Sequence, residues 1–334
     1  MTTSRTPQRG APDAAHWATV GESTFVLGLR FLCAVHRWFG RGPFLLFLYP
    51  VVTYYWATRG LARRASMEYL RRIQAERGAL GHAPTWRDGV RHFMSFADTI
   101  LDKTLALSGR YRFDTLRVHG RELLQGLLRE GRGGMFVTAH IGCLEMCQAA
   151  ANELGSLRLN VLVHTSHAEK FNRVLGRLDP DSAVRLLHVS EITPATAVML
   201  AERVGRGEFV AIAGDRIPVG TGKTVRARFL GREAPFPVGS YVLASLLKCP
   251  LFLMGCVREG ATHALHIERL AEAVDLPRRQ RDERLAQHAQ AYADRLEALL
   301  TEAPFEWFNF FPFWDQPGAG SATEPRLSHE HTPS

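Results

Sequence analysis

The segment His140-Ile-Gly-Cys-Leu-Glu145 follows directly on the apolar run Met135-Phe-Val-Thr-Ala139. A β-branched and aromatic run entered through Gly133-Gly134 reads as a buried strand. It would deliver the histidine to the strand's C-terminal end, the edge where open α/β sheets place their ligands. Residues five apart do not share a helix face, whereas residues three or four apart do. With His140 on the turn and Glu145 in the next helical turn, the chain can fold back and bring carboxylate to imidazole. A histidine oriented by a carboxylate is a general base that can strip a proton from an alcohol or amine. A lone H-x4-E pattern is more often a strand-end polar residue followed by an ordinary surface glutamate. The rest of the sequence reverses that balance.

A second polar pair, Asp215-Arg216, follows the apolar run 209–213 and would also project from a strand's end. Arginine there would grip a phosphate through a charge-assisted fork, with the aspartate fixing it. A structural Asp–Arg pair beneath a loop fits the same residues equally well. After an earlier apolar run, 157–163, come His167, Lys170, Asn172, Arg173 and Arg177, which would line an acceptor head-group pocket. Solvated loop charges are the plainer account of each of them taken singly. Gly220-Thr-Gly222-Lys223-Thr224 looks like a nucleotide loop, but the position of the required first glycine, six residues before the lysine, is Ile217. No G-x-S-x-G nucleophile elbow is present, since Ser240 lies in Val238-Gly-Ser-Tyr-Val242. No metal site is expected: His140, Cys143 and Cys147 lack a C-x2-C pair, and small apolar cysteines beside a strand are usually core filler.

These residues need a scaffold, and composition supplies one. The chain has 334 residues, 46% of them apolar, enough for a substantial core. Its net charge is +8, and of its 41 basic residues only Lys103, Lys170, Lys223 and Lys248 are lysine. That balance suits an anionic membrane, an acidic protein or a phosphate ligand. Nucleic acid is set aside, because no zinc-finger spacing, RNP-like aromatic motif or DNA-binding basic arm is present. Five cysteines, an odd count without a cleavable signal segment, suggest reduced thiols facing the cytosol.

Residues 1–20 and 316–334 read as polar, disordered tails. The span 21–60 holds two apolar runs, 25–35 and 44–56, broken and closed by arginines. Neither reaches the roughly 20 residues of a simple membrane-spanning helix. Both are rich in the aromatic residues that favour a membrane interface, such as Tyr49, Tyr54, Tyr55 and Trp56. This segment is expected to hold the protein on a membrane surface, although a buried helical hairpin would leave a similar pattern. Helical periodicity then covers 61–115, with Met67, Leu70, Phe93, Phe96 and Ile100 on apolar faces. From 116 to 315 strands and helices alternate. Strands are expected at 135–139, 157–163, 184–189, 209–213, 225–230, 251–257 and 264–270. Helices are expected around Leu123–Leu128, after Thr193-Pro194, and from about Arg281 to Glu302. The fold class is therefore α/β, a mixed central sheet flanked by helices, preceded by an apolar, helical, membrane-facing section.

In order along residues 60–315, four blocks resemble the lysophospholipid acyltransferase superfamily, in particular the bacterial lipid A late acyltransferases. They are Val118-His-Gly-Arg-Glu-Leu-Leu with 130–140 leading into His140; Gly214-Asp215-Arg216; Phe229-Leu-Gly231-Arg-Glu-Ala-Pro-Phe-Pro-Val-Gly239; and Pro304-Phe-Glu-Trp307-Phe. The resemblance implies a glycerolipid acyltransferase-like fold without a cofactor. It implies transfer of a fatty acyl chain from an acyl carrier protein or coenzyme A thioester to a hydroxyl or amine of a lipid or glycolipid acceptor, with no acyl-enzyme. The place it implies is the cytoplasmic face of the inner membrane. His140 would be the base and Glu145 its orienting acid. Gly142, Asp215, Arg216 and Gly231 fall in the family's substrate-binding blocks, and backbone N–H groups after Gly142 would meet the oxyanion. The chain has Cys143-Leu144 and Asp215-Arg216 where the lipid A enzymes usually have Asn-Trp and Asp-Gln, which points to a sister group acting on another lipid. A thioesterase or lipid hydrolase on the same site, and a non-catalytic lipid-binding protein, are the competing expectations.

Overall fold

The computed structural model describes residues 35, 38–107, 116–143, 146–147, 157–163, 184–188, 193–217, 223–260 and 262–316. Residues 1–20 and 317–334, most of the first apolar run, Glu145 and the positions Lys170, Asn172, Arg173 and Arg177 lie outside the described residues. The chain divides into two compact units, 1–51 and 52–334. Helix α1 (Arg41–Thr58) runs across that division with Pro50 inside it. Its Leu46, Tyr49, Val51, Tyr54 and Tyr55 are exposed. No described helix is long and apolar enough to cross a membrane.

In the larger unit, helices α2 (Gly60–Arg77) and α3 (Trp86–Leu107) precede a seven-stranded sheet. Its strands are β1 (Arg117–His119), β2 (Gly134–Gly142), β3 (Leu159–Val163), β4 (Val184–His188), β5 (Phe209–Ala213), β8 (Leu251–Glu259) and β9 (Thr262–Ala271). They lie in the order β1-β9-β8-β2-β5-β3-β4. Every neighbouring pair is parallel except the β8–β9 hairpin. Helices α4 (Arg121–Arg129), α5 (Pro194–Gly205), α6 (Gly239–Leu247) and α7 (Arg281–Glu302) complete the α/β architecture expected from the alternation. Thr193 caps α5 by accepting from the Thr196 N–H, with Pro194 in the first turn.

The period of two in β2 divides the core. Met135, Val137, Ala139 and Ile141 join the larger cluster, which includes Leu285, Tyr292, Leu296 and Leu299 of α7. Phe136 joins a second cluster with Phe209, Phe252 and the α4 residues Leu124 and Leu127. All of these residues are buried, so a strand with both faces covered reads as a continuous apolar run.

Three elements escape sequence pattern. Strand β1 has only three residues, and α6 is a nine-residue helix embedded in the core. Strand β7 (Arg232–Pro237) carries two prolines and pairs antiparallel with β6 (Thr224–Phe229) as a separate two-stranded ribbon. Each strand of such a ribbon has a free edge, where proline's missing donor costs little. The turn between them is Leu230-Gly231, with φ of 47° and 77°, the primed geometry that suits a two-residue hairpin.

Candidate active site

Strand β2 runs three residues beyond the expected end at Ala139 and carries His140 within it. Thr138 faces Met254 of β8 while Gly142 faces Cys256. Four steps along β2 thus match two along β8, and the bulge re-aims the intervening residues. Gly142 closes the bulge at φ +50°, where a Cβ would fall 1.8 Å from the Cys256 carbonyl oxygen. Glycine is required there by that close approach.

The neighbouring parallel strand β5 ends at Ala213, level with Thr138, and the chain then turns through Gly214 to Asp215. Asp215 is almost fully buried, and its carboxylate takes four donors. Oδ1 accepts from His140 Nδ1 at 2.7 Å. Oδ2 accepts from the His140 backbone N–H at 2.8 Å, Asn309 Nδ2 at 2.7 Å and Trp307 Nε1 at 3.1 Å. Burial alone would raise the Asp215 pKa. The charge and hydrogen bonds of His140, then the Arg216 charge, overcome it and hold the carboxyl at about 2. Since the carboxylate stays ionised, the shared proton belongs to Nδ1, and in the neutral form of the ring the lone pair falls on Nε2.

The His140 backbone is fixed as tightly as its ring. Its carbonyl accepts from the Phe308 N–H at 2.8 Å, and Gly142 N–H donates to the Glu306 carbonyl at 2.8 Å. Ile141 and Trp307 form an isolated antiparallel bridge. The closing 304–314 segment thus acts as a short extra strand against the end of β2. Two helices hold that segment from behind. His92 of α3 donates from Nε2 to the Trp307 carbonyl at 2.8 Å and pairs through Nδ1 with Ser66 Oγ of α2 at 2.9 Å. Tyr69 OH donates to the Pro304 carbonyl at 2.9 Å. Burial lowers the His92 pKa to about 4 despite its bond to Trp307, so the ring is neutral and serves only as a hydrogen-bonding strut.

His140 opens onto a cleft of about 570 Å³. One wall is a face of α3, where Phe96, Thr99, Ile100 and Lys103 stand at helical spacing; the other is Phe308, Phe310 and Phe311, with Ile141, Gly142 and Arg216 alongside His140. Arg216 donates from Nε to Asn309 Oδ1 at 2.8 Å and from Nη2 to the Phe308 carbonyl at 3.0 Å, with its guanidinium 5.6 Å from the Phe311 ring centroid. The arrangement is an apolar channel with cations beside a rigidly held imidazole.

Of the residues singled out in the sequence, His140, Gly142, Asp215 and Arg216 converge here. Asp215 makes the contact to Nδ1 that the motif spacing assigns to Glu145, which lies outside the described residues. Gly231 stands apart from the cleft, in the hairpin turn against Glu76, whose Oε1 would be 2.1 Å from an added Cβ. The N–H groups of Gly142 and Cys143 are spent on the carbonyls of Glu306 and Cys256, so neither is a spare oxyanion donor. Residues with no assigned part beforehand are Asn309, which links Asp215 to Arg216, and Lys103. The α3 spacing of Phe96, Ile100 and Lys103 carries the only sequence signal for the latter.

An imidazole held by a buried carboxylate at the mouth of an apolar cleft, on the C-terminal edge of an α/β sheet, is an arrangement able to take a proton from a polar group of a lipid-like substrate. Residues 94–316 match the model of the bacterial lipid A biosynthesis acyltransferases, and the chain belongs to that family of transferases. The match runs from inside α3 to the end of the closing segment and so takes in every residue of the cleft. No curated protein matches the chain.

Proposed function

We propose that the protein transfers a fatty acyl chain from an acyl thioester to a hydroxyl or amine of a membrane lipid or glycolipid. Acyl carrier protein is the preferred donor, and the cytoplasmic face of the inner membrane is the site of action. The observation that carries the proposal is His140, held through Nδ1 by the buried Asp215 and opening on a cleft walled by phenylalanine. Nε2 takes the proton of the acceptor O–H or N–H as that atom attacks the thioester carbonyl. The tetrahedral intermediate collapses, the C–S bond breaks, and the leaving thiolate recovers the proton from the imidazolium. No bond to the protein forms. Asp215 keeps the imidazole in the competent tautomer and stabilises its charged form.

The phenylalanine wall supports an alkyl chain, which gains about 0.8 kcal/mol for each methylene buried. Arg216 and Lys103 supply positive charge for the intermediate's oxygen or for a phosphate of donor or acceptor. Glu145, Lys170, Asn172, Arg173 and Arg177 remain candidates for acid and head-group contacts on the strength of the motif alone. The exposed aromatic residues of α1 support membrane contact. The deciding assay follows a labelled acyl thioester incubated with purified protein and bacterial lipid extract. Label recovered in a lipid one acyl unit heavier supports transfer. Label recovered only as free fatty acid, with or without acceptor, makes the protein a thioesterase and overturns the proposal.

A further inference from the structure

A second group of chemistry-bearing side chains lies on the other flank of the sheet. His119 of the edge strand β1 is the register partner of His266 of β9, and Glu259 ends β8 at the tip of the β8–β9 hairpin. The two imidazole rings stack with centroids 4.6 Å apart. Both Nε2 atoms converge on one carboxylate oxygen, Glu259 Oε1, at 3.4 Å from His119 and 3.1 Å from His266. The other oxygen, Oε2, lies 3.5 Å from Arg117 Nη1. Among the described residues this is the one group of three or more metal-ligating side chains whose donor atoms all lie within 4.8 Å of one another. None of the three lines the cleft.

We propose that His119, Glu259 and His266 bind a divalent ion of the zinc class and thereby fasten β1 to the sheet. The spacing fits such an ion. Ligands about 2.0–2.1 Å from a tetrahedral centre stand roughly 3.3–3.4 Å apart; the two imidazole–carboxylate separations fall close to that, and the two imidazole nitrogens lie within 4.8 Å of each other. Two imidazole nitrogens and one carboxylate oxygen form a donor set that takes zinc, nickel or copper in preference to magnesium or calcium. His119 is 53% exposed at its side chain while His266 is 11% and Glu259 26%, so the site opens to solvent on one side for a fourth, water ligand. Arg117, on the oxygen away from the imidazoles, orients the carboxylate as an outer partner does.

The placement has a structural consequence. Strand β1 has three residues and one neighbour, too little pairing to be firm by itself. It leads through α4 into β2, which carries His140. An ion held by β1, β8 and β9 together binds only the folded arrangement and so stabilises it.

The test uses the full-length, untagged protein stripped with chelator and titrated calorimetrically with Zn²⁺. Stoichiometric binding is expected for the wild type. His119→Ala and Glu259→Gln should each weaken it by about tenfold or more, at least what losing an outer-shell partner costs. Zn²⁺ should raise the melting temperature of the wild type by more than that of either variant. His119 is half exposed, so its replacement leaves the fold intact, which circular dichroism checks. X-ray absorption of the zinc-loaded wild type should show two imidazole nitrogens and a carboxylate oxygen, independently of any variant. Equal affinity in wild type and His119→Ala, binding spread over the chain's other histidines, or a spectrum lacking the two imidazoles overturns the proposal.

Discussion

At the scale of single residues, the site concentrates its interactions on one carboxylate. Asp215 is buried, ionised and saturated with donors, so the imidazole it holds has little freedom to turn. His140→Ala removes the base, and activity should fall by roughly 10²-fold or more, with the circular dichroism spectrum unchanged. Asp215→Asn keeps the shape but offers an amide where Nδ1–H needs an acceptor, and a loss of at least the same order is expected. Measuring Glu145→Ala beside it apportions the acid role: a loss confined to Glu145→Ala would show that the Asp215 contact is structural. Arg216→Ala should impair substrate use more than folding. Arg216 lines the cleft, and its partner Asn309 is also held by Asp215 through Nδ2.

At the scale of elements, the closing segment 304–314 acts as a clasp between the sheet and the two helices that precede it. The His92 strut makes this clasp sensitive to acid. In the folded protein His92 resists protonation down to about pH 4, against an ordinary value near 6.5. The unfolded chain therefore binds the proton first, and stability present above pH 6.5 is lost as pH falls towards 4. At about 1.4 kcal/mol per pKa unit the loss approaches roughly 3 kcal/mol. Urea melts at pH 7, 5.5 and 4.5 should show this slope in the wild type and a shallower one in His92→Gln; parallel slopes would remove His92 as the source. The β2 bulge is the other sensitive element. Gly142→Ala drives a Cβ into the Cys256 carbonyl, and a destabilisation above about 1 kcal/mol is expected, together with loss of activity as His140 moves.

At the scale of the whole molecule, charge and apolar surface bear on where the enzyme works and what it meets. A net charge of +8 favours an acidic carrier protein chiefly through the association rate, screened over about 10 Å at 0.1 M salt. With the same acyl chain on both donors, kcat/KM should be higher for the acyl carrier protein thioester and should fall as salt rises. Equal or better turnover of the coenzyme A thioester would refute that preference and leave the transferase intact. The exposed Leu46, Tyr49, Val51, Tyr54 and Tyr55 of α1 lead to the expectation that the full chain sediments with membranes and a chain starting near residue 60 does not. Equal solubility of the two without detergent would assign the segment to a soluble role.

The α/β alternation, the strand that bears His140 and the second strand end that bears Asp215-Arg216 are legible in the chain alone. Those features are written in local period and turn chemistry: β2 and β5 are buried on both faces and read as unbroken apolar runs, while α5 and α7 declare themselves by cap and spacing. The order of the family's blocks was equally legible. Long-range packing settled which carboxylate meets the imidazole. The two residues are 75 positions apart, and nothing local tells that β2 and β5 lie side by side. It also separated the aromatic closing segment into Trp307, Phe313 and Trp314, which fill the core, and Phe308, Phe310 and Phe311, which wall the cleft. That division follows from the bridge between Ile141 and Trp307, a contact between distant backbones that composition does not encode. The same holds for His119, Glu259 and His266, which became neighbours only when strand register placed them together.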